Sequence, residues 1–484
     1  MRKIVLCLVA LLATLPAMAE LQNVEVGGQI HIRGNYITNQ ILLTPGLRYN
    51  PLQTLGRPIG GPFHPAVLSL NSWDNDAKDY SAVEQRTRLN VKADFTDNVS
   101  AFIELDSYDI WGEDFRSAAY LTGVDSRANS SNDVEMYQSY VEAKELWGTP
   151  LSVKIGRQEL SFGSQWLIGP RDFAFGFTGL SFDAVRLTYA TDTLSVDAWA
   201  AKLSESFTDF GKGDVDFYGI YASCKAVEDQ TFDLYYLLLR DDQSMPQGYG
   251  DTMLHTVGAR AAGKFGAFDY DAEVAYQFGQ ADSLGVIVGD HSADWGNLGA
   301  KLDMGYTFDC AWQPRVFVGG RYYGGEDKRD ISFGEWLCPF DRPTASVSFN
   351  RLFSNEIANG WTDYFNDLSN AWWARLGVAA APTEKIHGIL ALTYIESLEA
   401  FDRPAAGVFS WWTHESSTDL GVEAVLFMEY CYSKDLTFEA GWSHMFVGDG
   451  LKEGNYSAWN GTIFNGGSDN NDADYVYGGC KITF

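Results

Sequence analysis

Apolar and polar residues alternate with a period of two along most of the chain. In FDYDAEVAYQFGQ, residues 268–280, one face carries Phe268, Tyr270 and other apolar side chains, while Asp269, Asp271 and Glu273 fall on the opposite face. This alternation is typical of strands that have one apolar and one polar side. No helical period of comparable strength appears anywhere, so the pattern predicts an all-β protein.

Eighteen segments of this kind follow one another. Most run 10 to 15 residues, which is longer than the ~5–6 residues of a typical soluble strand. That length matches the ~9–11 residues with which a tilted strand crosses a membrane. The predicted strands are 23–38, 82–96, 99–111, 134–146, 151–158, 181–190, 193–203, 215–226, 230–240, 253–265, 268–280, 297–309, 314–324, 371–381, 385–397, 418–432, 436–447 and 473–484.

The connections between these segments alternate in length. Eight are tight turns, such as Asp97-Asn98 and Gly266-Ala267, and nine are long, such as 39–81 and 325–370. Outer-membrane barrels have short periplasmic turns and long external loops. The alternation therefore predicts an up-and-down antiparallel transmembrane barrel of about 18 strands in a Gram-negative outer membrane, with outer-membrane lipids around it.

The two ends of the chain agree with an exported barrel. Residues 1–19 combine basic Arg2 and Lys3, an apolar stretch and the cleavage pattern Ala17-Met18-Ala19, so we expect a signal peptide at 1–19. We expect one barrel domain over 20–484 and no separate soluble domain. The terminal Phe484 resembles the C-terminal signal read by the outer-membrane assembly machinery, which we expect as a partner.

The charged residues exclude a nucleic-acid partner and predict a polar lining of the barrel lumen. Without residues 1–19 the chain has 33 basic and 64 acidic residues, a net charge of 33 − 64 = −31, so a nucleic-acid partner is not expected. The polar faces of the strands would line the lumen. Their charges are nearly balanced: basic Arg86, Arg88, Lys92, Lys154, Arg186, Arg260, Lys264, Lys301, Arg315, Arg321, Arg375 and Lys481, and acidic Glu84, Asp94, Glu104, Asp106, Glu142, Asp197, Asp233, Asp269, Asp271, Glu273, Asp303, Glu423, Glu429 and Glu439.

Sequence patterns of enzyme and metal sites are missing. There is no nucleophile elbow, H-E-x-x-H or P-loop, and the seven histidines show no metal-ligand spacing. We therefore predict neither catalytic residues nor a cofactor. Acidic loops, Asp74-Asp76-Asp79 and Asp469-Asp472-Asp474, offer oxygen ligands of the kind calcium prefers but lack the spacing of a complete calcium loop.

One stretch carries a more specific signal. GRQELSFGSQWLIGPRDF, residues 156–173, followed by FDAVRLTY, residues 182–189, resembles the pattern of the alginate export family of outer-membrane barrels. Ser164-Gln165-Trp166 stands where that family usually has an acidic residue and an arginine, and Phe173 replaces its usual tryptophan. The matching motif positions are Gly156, Arg157, Gln158, Gly163 and Gly169.

The resemblance implies a passive channel for saccharides, with export of an anionic uronate polysaccharide as one form of it. It implies that inward arginines contact the solute, since guanidinium groups bind carboxylates through two parallel hydrogen bonds. A general diffusion porin for small polar solutes is the alternative, and a barrel enzyme or an adhesion barrel is less favoured. The implied solute-contacting residues are Arg86, Arg88, Arg157, Arg186, Arg260, Arg321 and Arg375, with Asp183 orienting an arginine.

Overall fold

A computed structural model gives the fold of the chain. It describes residues 21–38, 80–95, 98–111, 134–170, 179–205, 214–242, 252–281, 294–325, 348–365, 368–398, 402–404, 413–415, 417–452 and 472–484. The predicted signal peptide and motif residues 171–173 lie outside these ranges.

The described ranges contain eighteen long strands, and each predicted strand is confirmed with ends that differ by at most three residues. A short pair, β16 (Asp402–Pro404) and β17 (Thr413–Glu415), and two short helices, α1 (Trp361–Phe365) and α2 (Asp449–Lys452), lie between them. The long strands are β1 (Leu21–Ile37), β2 (Tyr80–Phe95), β3 (Val99–Ile110), β4 (Glu135–Ala143), β5 (Leu151–Gln158), β6 (Phe182–Ala190), β7 (Leu194–Ser204), β8 (Val215–Cys224), β9 (Gln230–Asp241), β10 (Thr252–Phe265), β11 (Phe268–Ala281), β12 (Asp294–Thr307), β13 (Arg315–Tyr323), β14 (Ala371–Thr383), β15 (Ile386–Ser397), β18 (Asp419–Cys431), β19 (Leu436–Val447) and β20 (Ala473–Thr483).

The sheet closes on itself. Each long strand pairs antiparallel with the next one in the chain, and β1 pairs with β20, which makes an 18-stranded barrel. At the seam, the Phe484 amide donates to the Gly28 carbonyl at 3.0 Å and the Gly28 amide donates to the Phe484 carbonyl at 2.9 Å. No helix among the described residues has the length and apolar character to cross a membrane.

The two faces of the barrel differ as the alternation predicts. Outward side chains are mainly exposed and apolar, for example Leu234, Leu298 and Leu390. Large aromatic side chains are exposed near strand ends, including Trp111 and Trp312, where girdles lie in outer-membrane barrels. The inward face carries most of the charged strand residues, many of them buried.

The buried apolar cluster lies inside the barrel. It joins inward side chains of the wall, such as Trp199, Phe217 and Tyr323, to side chains from the connections after β5 and after β13, such as Trp166 and Phe349. The lumen therefore contains ordered protein, and these two connections determine its shape.

Candidate functional site

The first inward segment, residues 159–170, begins at the end of β5. Gly156 has φ +129°, and a Cβ atom there would lie 2.2 Å from the Ser139 carbonyl oxygen, so only glycine fits. Gln158 is buried on the inward face, and its side-chain amide donates to the carbonyls of Gly156 at 3.2 Å and Ala184 at 3.1 Å. These contacts fix the strand end from which the chain enters the lumen.

Aromatic stacking holds the first inward segment against the wall. Phe162 stacks between Trp199 and Tyr221, with ring centroids 4.7 and 4.9 Å away. Trp166 is fully buried, and its indole N–H donates to the Tyr323 hydroxyl at 2.7 Å. A porin-like layout would place this loop outside the barrel. Its apolar residues are instead buried inside the barrel, which explains why the loop contains them.

The second inward segment, residues 348–365, extends inside the barrel from β11 to β18. Near its start, the Asn350 amide donates to the Gln277 side chain at 2.7 Å. Near its end, the amides of Gly360 and Trp361 donate to Glu423 of β18 at 2.9 and 2.6 Å. Hydroxyls of Thr362 and Ser443 also donate to Glu423, which is fully buried.

The two inward segments contact each other. Ile168 and Phe353 form a parallel β-bridge, and the Asn355 side-chain amide donates to Gln165 at 2.7 Å. Phe353 also packs edge-on against Phe182 of β6, with centroids 5.0 Å apart. Together the segments link walls on different sides of the barrel and narrow the lumen between them.

A charge network ties the second inward segment to β12 and β13. Arg321 donates to both oxygens of Glu356, at 2.9 Å from Nε and 2.5 Å from Nη2. Lys301 lies 3.3 Å from Glu356 and 3.5 Å from Asp271. Although burial opposes ionisation, Arg321 and Lys301 lower the pKa of Glu356 to about 2, so its carboxylate is charged at neutral pH.

The network continues along the wall. Arg260 binds Asp271 through two hydrogen bonds, at 2.8 and 2.9 Å, and donates to Asp233 at 2.9 Å. Ser164 of the first inward segment donates to Glu273 at 3.1 Å. Arg260 and Arg321, both predicted site residues, are therefore linked through Asp271, Lys301 and Glu356.

A second group of predicted residues lies on β2 and β6. Arg88 donates to Asp106 at 2.9 Å and lies 3.7 Å from Glu159. Arg86 donates to Gln29 at 2.6 Å, and Arg186 pairs with Asp197 at 2.8 Å. These arginines point inward as predicted, and their contact with a solute stays a prediction.

The prediction that Arg157 and Asp183 line the lumen is wrong. Arg157 shares its face of β5 with the exposed Ile155, and Asp183 shares its face of β6 with the exposed Leu187. Both side chains therefore point outward. They bind each other through two hydrogen bonds, at 2.8 and 2.9 Å, with 43% and 54% of their side chains exposed.

Arg375 of β14 differs from the other inward arginines. It forms no hydrogen bond or ion pair with a described residue, and its Nε is buried without a partner. Its guanidinium carbon lies 5.2 Å from the centre of the Phe317 ring, and that of Arg315 lies 5.3 Å from the same ring. The cross-strand neighbours of Arg375 are Gly319 and Thr393, whose buried hydroxyl also has no partner in the described chain.

Sequence reasoning missed Glu356 and Trp166, two anchors of the inward segments. Glu356 stands in a long connection without periodicity, where no sequence pattern distinguishes it. Trp166 had a usable signal, because a Trp-Leu-Ile run is unusual in a solvated loop. Glu423 was expected in the lumen, but its role as the acceptor for the second inward segment was not foreseen.

His444 lies on the outward face of β19, and its described neighbours there are acidic and aromatic. His444 on β19 contacts Asp474 at 2.9 Å and lies 3.7 Å from Asp472, and its neighbours on the same face are Trp442 and Phe446. In the part of the chain that the structure describes, no group of acidic, histidine or cysteine side chains could hold a metal ion. Asp74, Asp76, Asp79 and Asp469 of the acidic loops lie outside the described residues.

Comparison with known proteins agrees with this architecture. The family described as alginate export matches residues 74–463, most of the chain. The chain belongs to the alginate export family. The family and the closed 18-stranded barrel identify it as a channel of the Gram-negative outer membrane.

Solved structures show the same fold at low sequence identity. OccK8 (OprE) of Pseudomonas aeruginosa has a TM-score of 0.51 and 11% identity, covering 95% of this chain and 98% of that one. OccAB4 and OccAB1 of Acinetobacter baumannii have TM-scores of 0.52 and 0.53 and identities of 11% and 12%. They cover 97% and 95% of this chain, and 100% and 96% of their own. No curated protein sequence matches the chain.

Proposed function

We propose that this barrel is a passive channel for small carboxylated solutes, with uronic acids and short uronate saccharides as the solute class. The observation that carries the proposal is Arg375. Its guanidinium is inward and lacks a carboxylate partner in the described chain, whereas Arg88, Arg186, Arg260, Arg315 and Arg321 each have one. An unpaired guanidinium favours a carboxylate that arrives with the solute.

The surroundings of Arg375 suit a sugar acid. Thr393, the neighbour of Arg375 on β15, is fully buried, and its hydroxyl has no partner in the described chain. Gly319 on the other side presents no side chain. Phe317 provides an apolar ring beside the guanidinium, and sugars offer C–H groups to such rings.

The inward segments favour small solutes over a long polymer. Residues 159–170 and 348–365 occupy part of the lumen and contact each other at Ile168 and Phe353. A polysaccharide would have to pass beside both. Export of an anionic polysaccharide therefore ranks below passage of its monomers and short oligomers.

A general diffusion porin is the second candidate, and the ion pairing of the lumen favours it. Most inward arginines already bind carboxylates of the chain, so the wall as a whole has little preference between anionic and cationic solutes. In that case Arg375 would contribute only to the local field. Assembly through the terminal Phe484 is proposed equally for both candidates.

Block of single channels in planar bilayers by glucuronate tests the proposal. We expect Arg375→Ala to weaken the block about tenfold, because a hydrogen bond to a charged group contributes about 1.5 kcal/mol. Arg315→Ala is the matched control: it removes the same charge from the same aromatic ring, but Arg315 is already bound to Asp269 at 2.6 and 2.9 Å. Equal effects of the two substitutions, or no block of the wild type, would favour the diffusion porin.

A further inference from the structure

Three inward residues lie side by side in the barrel wall: Arg375 on β14, Thr393 on β15 and Glu423 on β18. Thr393 is the cross-strand neighbour of both charged residues. Neighbouring strands are about 4.8 Å apart, so the backbones of Arg375 and Glu423 are separated by about 10 Å. Thr393 faces the lumen between them and is nevertheless fully buried. Another part of the chain therefore lies over this row.

The end of the second inward segment provides this cover. Within residues 358–363, which we call the lid, the backbone amides of 360–362 donate to the Glu423 carboxylate at 2.9, 2.6 and 3.2 Å. Two hydroxyl groups donate to the same carboxylate. Because hydrogen bonds to an ionised acceptor are the strong ones, Glu423 holds the lid firmly against the wall directly beside Thr393.

The other side of the lid is close to Arg375. Asp363 accepts hydrogen bonds from the amides of residues 358–359, at 2.7 and 2.8 Å, through one of its two carboxylate oxygens. Among the acidic residues, Asp363 has the largest charge interaction with Arg375. The lid therefore bridges the row from Glu423 to Arg375.

The contact between lid and wall leaves buried polar atoms without hydrogen bonds. Four side chains have such atoms with no partner among the described residues: Arg375 through Nε, Thr393 through its hydroxyl, Asp363 through Oδ1 and Asn359 through both amide atoms. A polar atom that loses water on closure and gains no partner opposes the closed position. Opening would return these atoms to water, so the bonds to Glu423 hold the lid against an opposing free energy.

We propose that residues 358–363 form a lid that opens and closes over Arg375, with Glu423 as its latch. The inference rests on the proposed function for its consequence: a solute carboxylate binds Arg375 when the lid is open, so the apparent affinity falls with the fraction of open channels. Closure also depends on Gly360, because a Cβ atom there would lie 2.4 Å from the Cβ of Ser443 on β19.

Single-channel currents in planar bilayers, recorded in chloride salt without a solute acid, test the lid by itself. We expect openings as steps to higher conductance. Gly360→Ala should raise the open fraction about tenfold, because the added methyl group prevents seating. Thr393→Val should lower the open fraction about fivefold, because valine has nearly the same shape and removes a buried hydroxyl without a partner.

Thr256→Val on β10 is the matched control. It is the same substitution at a fully buried inward position, but the Thr256 hydroxyl accepts from Gln277 at 3.2 Å, so it should not lower the open fraction. Heat-modifiable electrophoresis confirms folding of each variant, and Gly360→Ala, which alters only the lid, decides the test if Thr393→Val does not fold. Steps that are absent in all channels, unchanged by Gly360→Ala or more frequent in Thr393→Val would overturn the proposal.

Glucuronate block then separates the lid from the transported solute. Gly360→Ala should strengthen the block and Thr393→Val should weaken it about fivefold, in proportion to the open fraction. If no channel is blocked while the steps respond as expected, the uronate function is rejected and the lid stands. If block requires Arg375 but is equal in wild type and both lid variants, the function stands and the lid is rejected.

Discussion

We predict that the ion pair between Glu356 and Arg321 is the contact that holds the second inward segment most strongly against the barrel wall. Replacing Glu356 with Gln removes the charge that Arg321 and Lys301 share, while the side-chain volume stays nearly the same. The Glu356 side chain is only 8% exposed, so solvent screens the interaction weakly. The pKa of Glu356 falls from 4.5 to about 2, and that difference corresponds to roughly 3 kcal/mol of preference for the charged, anchored form. Its loss would increase the displaced population of the segment by ~10²-fold.

Single-channel conductance in planar bilayers measures this effect. We expect Glu356→Gln to raise the mean conductance and add slow current fluctuations as the second inward segment leaves the wall. Glu429→Gln is the control: it removes the same charge from the lumen side of β18, where the hydrogen-bond contact of Glu429 in the described chain is Cys431 at 3.6 Å. If the two substitutions change conductance equally, the effect is electrostatic, and the idea of an anchored segment is wrong.

Three further predictions follow from the same contacts. Burial raises the pKa of Asp363 from 3.8 to about 6, so its contribution to the stability of the second inward segment is fully present below about pH 4 and is lost as the pH rises through about 6. Lowering the pH from 7 to 5 should therefore hold this segment in the lumen more firmly and reduce conductance. Identical pH profiles for wild type and Asp363→Asn would contradict this. Trp166→Ala should cost about 3–5 kcal/mol locally and expose residues 159–170 to limited proteolysis, and an unchanged digestion pattern would argue against packing as the anchor. Arg157→Ala should leave glucuronate block within about twofold of wild type, because the side chain points outward; a block weakened as much as by Arg375→Ala would return Arg157 to the lumen.

Strand positions and most lumen-facing residues could be predicted from the sequence. In a barrel, every strand has one lipid face and one lumen face, so period-two alternation reports both the strand and the direction of each side chain. Lys301, Arg321 and Glu423 were placed inward for this reason, and the structure agrees.

The outward direction of Arg157 and Asp183 could have been predicted from the sequence. Lys154 and Arg186 were correctly predicted inward, and the other two residues stand three positions away from them on β5 and β6. An odd separation along a strand reverses the face. The family motif suggested a solute contact, while the alternation already pointed the other way.

The inward course of residues 159–170 and 348–365 could not be derived from periodicity. Both segments lack regular secondary structure over most of their length, so no repeating pattern relates sequence to direction. Their positions depend on single long-range contacts, such as Trp166 with Tyr323 and Glu356 with Arg321. Trp166 and Tyr323 are more than a hundred residues apart in the chain. A single sequence contains no signal that relates two such residues to each other.

The central claim, a passive channel selective for small carboxylated solutes, is tested most directly by liposome swelling. Proteoliposomes containing the wild-type chain are diluted into iso-osmotic glucuronate or glucose, and swelling follows solute entry. The account predicts faster entry of glucuronate than of glucose, with the difference removed by Arg375→Ala and kept by Arg315→Ala. Swelling that is equal for both sugars, or absent for both, would contradict it.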